Sequence, residues 1–200
     1  MEQPKLRPFR PILRNEIPIY HGTPCENITI FQINKDSRKR TDFGLGIYFT
    51  TKLEQALEWS IRGTATKGFV YETYIDYRWI ASGEVRIKEF LEYDEDFIRT
   101  YAQCRTVGID PSIIKGKDII YGWMLDSQGK DILEDCDKFN AGEISMQELR
   151  SKLPVFNDKD QLCLKTSNIL DRLSITHKYA TKLIPGKVRK EGNIKYKKIY

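Results

Sequence analysis

The chain has 200 residues, with 33 Lys+Arg, 28 Asp+Glu and only 2 His, and a formal net charge of +5. This length fits one domain able to bury a sizeable core, and 40% hydrophobic with 30% charged residues is ordinary globular composition, which excludes disordered and fibrous classes. Two histidines exclude a three-histidine metal site, and Cys25, Cys104, Cys136 and Cys163 form no CxxC pair, so no metal is expected and the thiols are expected to be reduced.

No apolar run reaches the ~18 residues of a membrane span, and Met1 to Arg14 has no apolar signal-peptide core. A cytoplasmic protein without membrane contact is the expectation. The charge is uneven: residues 1–14 carry +3, residues 178–200 carry +7, and the intervening body carries −5. Basic ends on an acidic body read either as solvated termini or as contacts for a polyanion.

Pro4, Pro8, Pro11 and Pro18 break the start into an extended basic arm, residues 1–17. A domain over 18–185 and a basic tail over 186–200 complete the expected organisation. Ile17 to Tyr20 reads as a short strand entering His21-Gly22-Thr23, which taken alone is a turn. A loop over 24–42 carries Arg38-Lys39-Arg40. Phe43-Gly44-Leu45-Gly46 is a glycine-hinged turn into the strand Ile47-Tyr48-Phe49-Thr50. It lacks the third glycine of a dinucleotide fingerprint and enters a strand rather than a helix.

Thr51 is placed to cap a helix over about 52–62. Leu53, Ala56, Leu57, Ser60 and Ile61 share one face of it, and Trp59 lies off that stripe. Phe69 to Trp79 is the strongest strand, rich in Tyr, Val, Thr and Ile. Residues 84–104 read as helix, 118–123 as a buried strand, and 126–140 as helix. Ser145 and Glu148 form a capping box for a short helix ending before Pro154. Gln161 to Thr166 is strand-like, 168–173 a helical turn, and 176–184 a last strand. His177 has no partner motif and reads as structural. Strands and helices mix without a regular βαβ beat, which predicts an α+β fold.

Tyr20-His21-Gly22-Thr23, then Asp42-Phe43-Gly44-Leu45-Gly46-Ile47-Tyr48-Phe49-Thr50, then an amphipathic helix bearing Trp59, together resemble the ADP-ribosyltransferase superfamily. The likeness is to its His-Tyr-Glu branch, shared by diphtheria toxin and the poly(ADP-ribose) polymerases, and more narrowly to an uncharacterised bacterial, toxin-like domain family within it. Asp118-Ile119-Ile120-Tyr121-Gly122 and the segment from Asn157 to Thr166 extend the resemblance over about residues 18–175.

The resemblance implies a split antiparallel β-sheet with flanking helices, and NAD as the substrate. His21 matches a histidine that binds the adenosine-side ribose, and Gly22 a residue whose backbone holds the nicotinamide amide. Thr23 and Gly46 belong to the same matched stretches. Tyr48 and Trp59 match the two aromatic groups lining the nicotinamide, and Ala56 stands where a small hydroxyl residue helps grip the amide. Gln161 falls where the family has its catalytic glutamate. It keeps a hydrogen bond but not a charge, so Asp158 or Asp160 comes into question as an acid, although alternation along the strand turns Asp160 to the other face.

The implied activity is mono-ADP-ribosylation of a protein or nucleic-acid acceptor, with nicotinamide released and a small antitoxin as a conceivable partner. The alternative is a catalytically silent module that binds NAD or ADP-ribose and acts through partners. A nucleic-acid acceptor contacted by the aromatic-bearing basic tail is a third reading. Gln161→Glu is expected to raise NAD hydrolysis.

Overall fold

The computed structural model describes residues 5–12, 14–34, 40–62, 67–125, 130–153, 159–183 and 194–198. It is an α+β protein, as its sequence predicts, with two four-stranded sheets and helices outside them. The first sheet has the order β1 (Glu16–Thr23), β3 (Lys67–Asp76), β7 (His177–Leu183), β8 (Ile194–Lys198), antiparallel throughout. The second has the order β2 (Ile47–Phe49), β6 (Asp160–Leu164), β5 (Ile119–Trp123), β4 (Ile87–Glu89). Its β4–β5 pair is parallel, which departs from the wholly antiparallel sheet expected.

Period-2 alternation explains the layering. Ile17 and Ile19 of β1, Phe69, Tyr71 and Ile75 of β3, Ile119 and Tyr121 of β5, and Leu162 and Leu164 of β6 form one core between the sheets. The intervening residues face outward. Ile120 and Cys163, joined by Trp123, which breaks the alternation at the end of β5, pack under α3 (Glu95–Thr106), α4 (Lys130–Asn140) and α5 (Met146–Lys152). Val70 and Tyr179 pack under α1 (Leu53–Ser60). Each fully buried Ile, Leu or Phe contributes roughly 1.5–3 kcal/mol, so both strand faces help fix the register.

Helix α1 crosses the first sheet where side chains are absent. A Cβ at Gly22 would lie 2.1 Å from the Ala56 carbonyl oxygen, and one at Gly68 2.4 Å from that of Ser60. These two glycines let a helix backbone lie on a strand backbone.

Several local expectations are corrected. Thr51 does not cap α1: Lys52 holds that position without a side-chain bond, because the Thr51 hydroxyl donates to Asp160 instead. The β3 strand stops at Asp76 rather than Trp79, since the Asp76 carboxylate caps α2 (Tyr77–Ala81) through the Arg78 N–H. Residues 84–104 are not one helix. Strand β4 takes 87–89, and α3 starts only after Asp94, whose side chain accepts the Phe97 N–H at 2.8 Å. The capping box at Ser145 and Glu148 forms as predicted. His177 lies on β7, 3.5 Å from the Glu72 carboxylate. Helix α6 (Ser167–Leu170) is the predicted helical turn.

The arm is anchored at Leu6, whose N–H donates to the Leu91 carbonyl at 2.8 Å, and at Phe9, which is buried against Tyr121. Strand β8 lies inside the stretch read as a basic tail and pairs with β7.

Candidate functional site

Strands β1 and β2 are the facing edges of the two sheets. They are joined at one point, where Tyr20 and Thr50 exchange N–H···O bonds of 2.9 and 3.0 Å. Continued in register, an antiparallel ladder would next pair Gly22 with Tyr48. No hydrogen bond joins them among the described residues. Strand alternation turns the Gly22 N–H and C=O to the same side as those of Tyr20, which is away from β3. The edges diverge there into a cleft of about 880 Å³, within the usual range for small-molecule sites.

Of the residues singled out from sequence, His21, Gly22, Gly46, Tyr48, Trp59 and Gln161 all line this cleft. Thr23 does not: it ends β1, and its hydroxyl accepts the Cys25 N–H at 3.2 Å, which makes it part of the turn leaving the strand. Arg40 of the basic cluster lines the cleft, while Arg38 and Lys39 lie outside the described residues. Asp158 lies outside them as well.

His21 donates from Nδ1 to the Tyr48 carbonyl at 2.8 Å, spanning the gap where the ladder stops. Its ring packs against Phe31 and Phe49, at centroid distances of 6.0 and 5.4 Å. Burial holds its pKa below the usual histidine value, partly offset by the bond to Tyr48. The neutral ring with its proton on Nδ1 leaves Nε2 as an acceptor, suited to a hydroxyl donor.

Tyr48 has two functions in one side chain. The residue lines the cleft. Its hydroxyl accepts the Phe43 N–H at 3.0 Å and lies 2.8 Å from both Thr41 Oγ1 and the Gly44 carbonyl. That knot closes the glycine turn, in which Gly44 has φ +74°. Lys165 secures the same turn, donating to the Phe43 and Leu45 carbonyls at 2.7 and 3.0 Å. Burial raises the Tyr48 hydroxyl pKa well above its usual value, so it stays neutral.

Trp59 is 41% exposed at the cleft wall, and the Arg62 guanidinium stacks 3.4 Å from its ring centroid. Burial lowers the Arg62 pKa to about 10.

Gln161 is buried, and both of its amide hydrogens are committed. Nε2 donates to Asp42 Oδ2 at 2.7 Å and to the Trp123 carbonyl at 2.8 Å. The Trp123 carbonyl can only accept, which fixes the amide orientation. Asp160 points to the other face of β6, as alternation requires, and accepts from Thr50 and Thr51.

The sequence reading missed three members of this site. Asp42 is buried, and Arg105 from α3 lies 2.5 Å from its Oδ1. Its Oδ2 takes the Leu125 N–H at 3.2 Å in addition to Gln161. All three partners donate, which favours the ionised carboxylate, while burial raises its pKa against the pull of Arg105. Arg105 and Arg62 also line the cleft. Among the described residues no three His, Cys, Asp or Glu side chains gather as a metal ion would need, and no helix is long and apolar enough to cross a membrane.

Residues 17–175 match the family described as "Protein of unknown function (DUF3990)", and the chain belongs to that family. No curated protein matches the chain.

Proposed function

We propose that the chain is an NAD-dependent mono-ADP-ribosyltransferase of cytoplasmic location, acting on a protein or nucleic-acid acceptor. The observation that carries this reading is the free edge peptide of Gly22, set in a cleft beside the Tyr48 ring, the Trp59 indole and Gln161. A peptide N–H and C=O two residues beyond the last ladder pair complement a carboxamide, which has one acceptor and two donors. Flat rings beside it suit a planar heterocycle, with stacking worth roughly 0.5–1.5 kcal/mol per pair.

The fit extends along the cleft. His21 Nε2 is placed to accept from a ribose hydroxyl. Arg40 and Arg62 line the same cleft and would offset the pyrophosphate charge. Gln161 would take the hydroxyl beside the reacting carbon on its amide oxygen. In the transfer, the bond from ribose C1′ to the nicotinamide nitrogen breaks, its electron pair leaves with nicotinamide, the acceptor nucleophile bonds C1′, and its proton passes to solvent.

The competing reading is a catalytically silent NAD- or ADP-ribose-binding module, favoured by an amide at position 161. Incubating the protein with NAD labelled in the adenosine half, alone and with cell lysate, separates the two. Nicotinamide release with label on a macromolecule is the expected result. Binding without release would establish the silent module instead.

A further inference from the structure

We infer that Asp42, acting through Gln161, supplies the negative charge of the site. It is a positioning residue behind the amide rather than a group that touches the substrate. The inference rests on the transferase reading above.

Gln161 occupies a cleft position where bond breaking builds positive charge on the substrate, and an amide carries no net charge. Behind it stands a buried carboxylate in direct contact, at 2.7 Å. Hydrogen bonds in series polarise one another, and low surrounding dielectric strengthens the effect. A carboxylate accepting from Nε2 pushes electron density onto Oε1. That oxygen has no hydrogen-bond partner among the described residues, and it belongs to a side chain lining the cleft. The Trp123 carbonyl drawing on the second Nε2 hydrogen acts in the same direction.

The surrounding contacts suit this role. Arg105 holds Oδ1 and the Leu125 N–H holds Oδ2, so the carboxylate cannot swing away from Gln161. Asp42, Arg105 and Gln161 come from three parts of the fold: the turn before β2, helix α3 and strand β6. Gln161→Glu alone would put two carboxylates in contact, and one would then retain a proton. The simple expectation that this substitution raises hydrolysis therefore changes: the charge has to be moved by exchanging both positions.

The test compares the unaltered protein, Asp42→Asn and the exchange variant Asp42→Asn/Gln161→Glu. Nicotinamide release is measured over a range of NAD concentrations, NAD affinity by calorimetry, and the Gln161 side-chain amide by NMR. Asp42→Asn should lower kcat about tenfold or more while KM changes little. It should also move the Gln161 amide proton upfield. The exchange variant moves the carboxylate to the cleft position itself, at the expense of the bond to the Trp123 carbonyl, and should recover part of the lost kcat.

Unchanged kcat in Asp42→Asn overturns the inference and leaves the transferase reading intact. A Gln161 amide resonance unmoved by Asp42→Asn also overturns it. NAD binding without nicotinamide release by the unaltered protein overturns the transferase reading, and the inference with it. Should Asp42→Asn fail to fold, a pH titration of the Gln161 amide in the unaltered protein decides the question. An amide proton that moves as Asp42 titrates supports the inference, and one that stays fixed overturns it.

Discussion

The carbonyl oxygen of Ala56 occupies the space that a side chain at position 22 would need, 2.1 Å from an ideal Cβ. The obstructing atom is helix backbone, which cannot rotate aside. Gly22→Ala should therefore shift α1 relative to β1 and cost about 1–3 kcal/mol or more. Urea unfolding measures this. A cost within a few tenths would mean that α1 is free to lift from the sheet.

The ring and the hydroxyl of Tyr48 should prove separable. Tyr48→Phe leaves the Phe43 N–H without its acceptor and loosens the Thr41–Gly44 turn, at roughly 1–3 kcal/mol of stability. It keeps the ring, so NAD affinity should stay within a few fold. Tyr48→Ala removes the ring and should weaken NAD binding about tenfold or more. Calorimetry on both variants checks the contrast, and full affinity in Tyr48→Ala would remove NAD from this cleft.

Stability should fall on acidification partly through His21. Its pKa is lowered by burial, so the unfolded chain takes up that proton more readily. The contribution is complete above the usual histidine pKa and is lost as pH falls through the lower folded value. Asp42, with its pKa raised, acts with the opposite sign. The His21 share is therefore read as the difference between the unaltered protein and His21→Asn. Denaturant midpoints between about pH 4.5 and 7.5 should converge at the acid end. Parallel curves would contradict a neutral, half-buried His21.

Removing residues 186–200 takes away β8 and exposes the ladder edge of β7. The truncated chain should melt at lower temperature, by about 2–4 °C for each kcal/mol lost. Any loss of nucleic-acid affinity in that variant is tied to the loss of a strand, so Lys→Gln substitutions at 195, 197 and 198 give the cleaner salt-dependence experiment.

The sequence made six of the eight described strands legible because aromatic and β-branched runs such as Phe69 to Ile75 admit few other readings. It also brought His21, Gly22, Gly46, Tyr48, Trp59 and Gln161 to one cleft through resemblance, although nothing in their spacing alone would have done so. It misled at 84–104, where Val85, Phe90 and Leu91 mimic a helical stripe. There, short parallel pairing of β4 with β5 overrides local preference, and the cap at Asp94 was the available local signal. Thr51 failed as a cap because its partner, Asp160, is distant in sequence. Asp42 had no local signal: it becomes conspicuous only when α3 and β6 bring Arg105 and Gln161 to it.

The single Tyr20–Thr50 junction has a consequence for solubility as well as for recognition. Where β1 and β2 part, each leaves backbone groups that another chain's strand would be ready to adopt, the usual starting point for aggregation. Helix α1 laid over Gly22, and the cluster of Phe31, His21 and Phe49, flank that gap and crowd the approach of an incoming strand. The groups that crowd this exposed edge are also walls of the cleft.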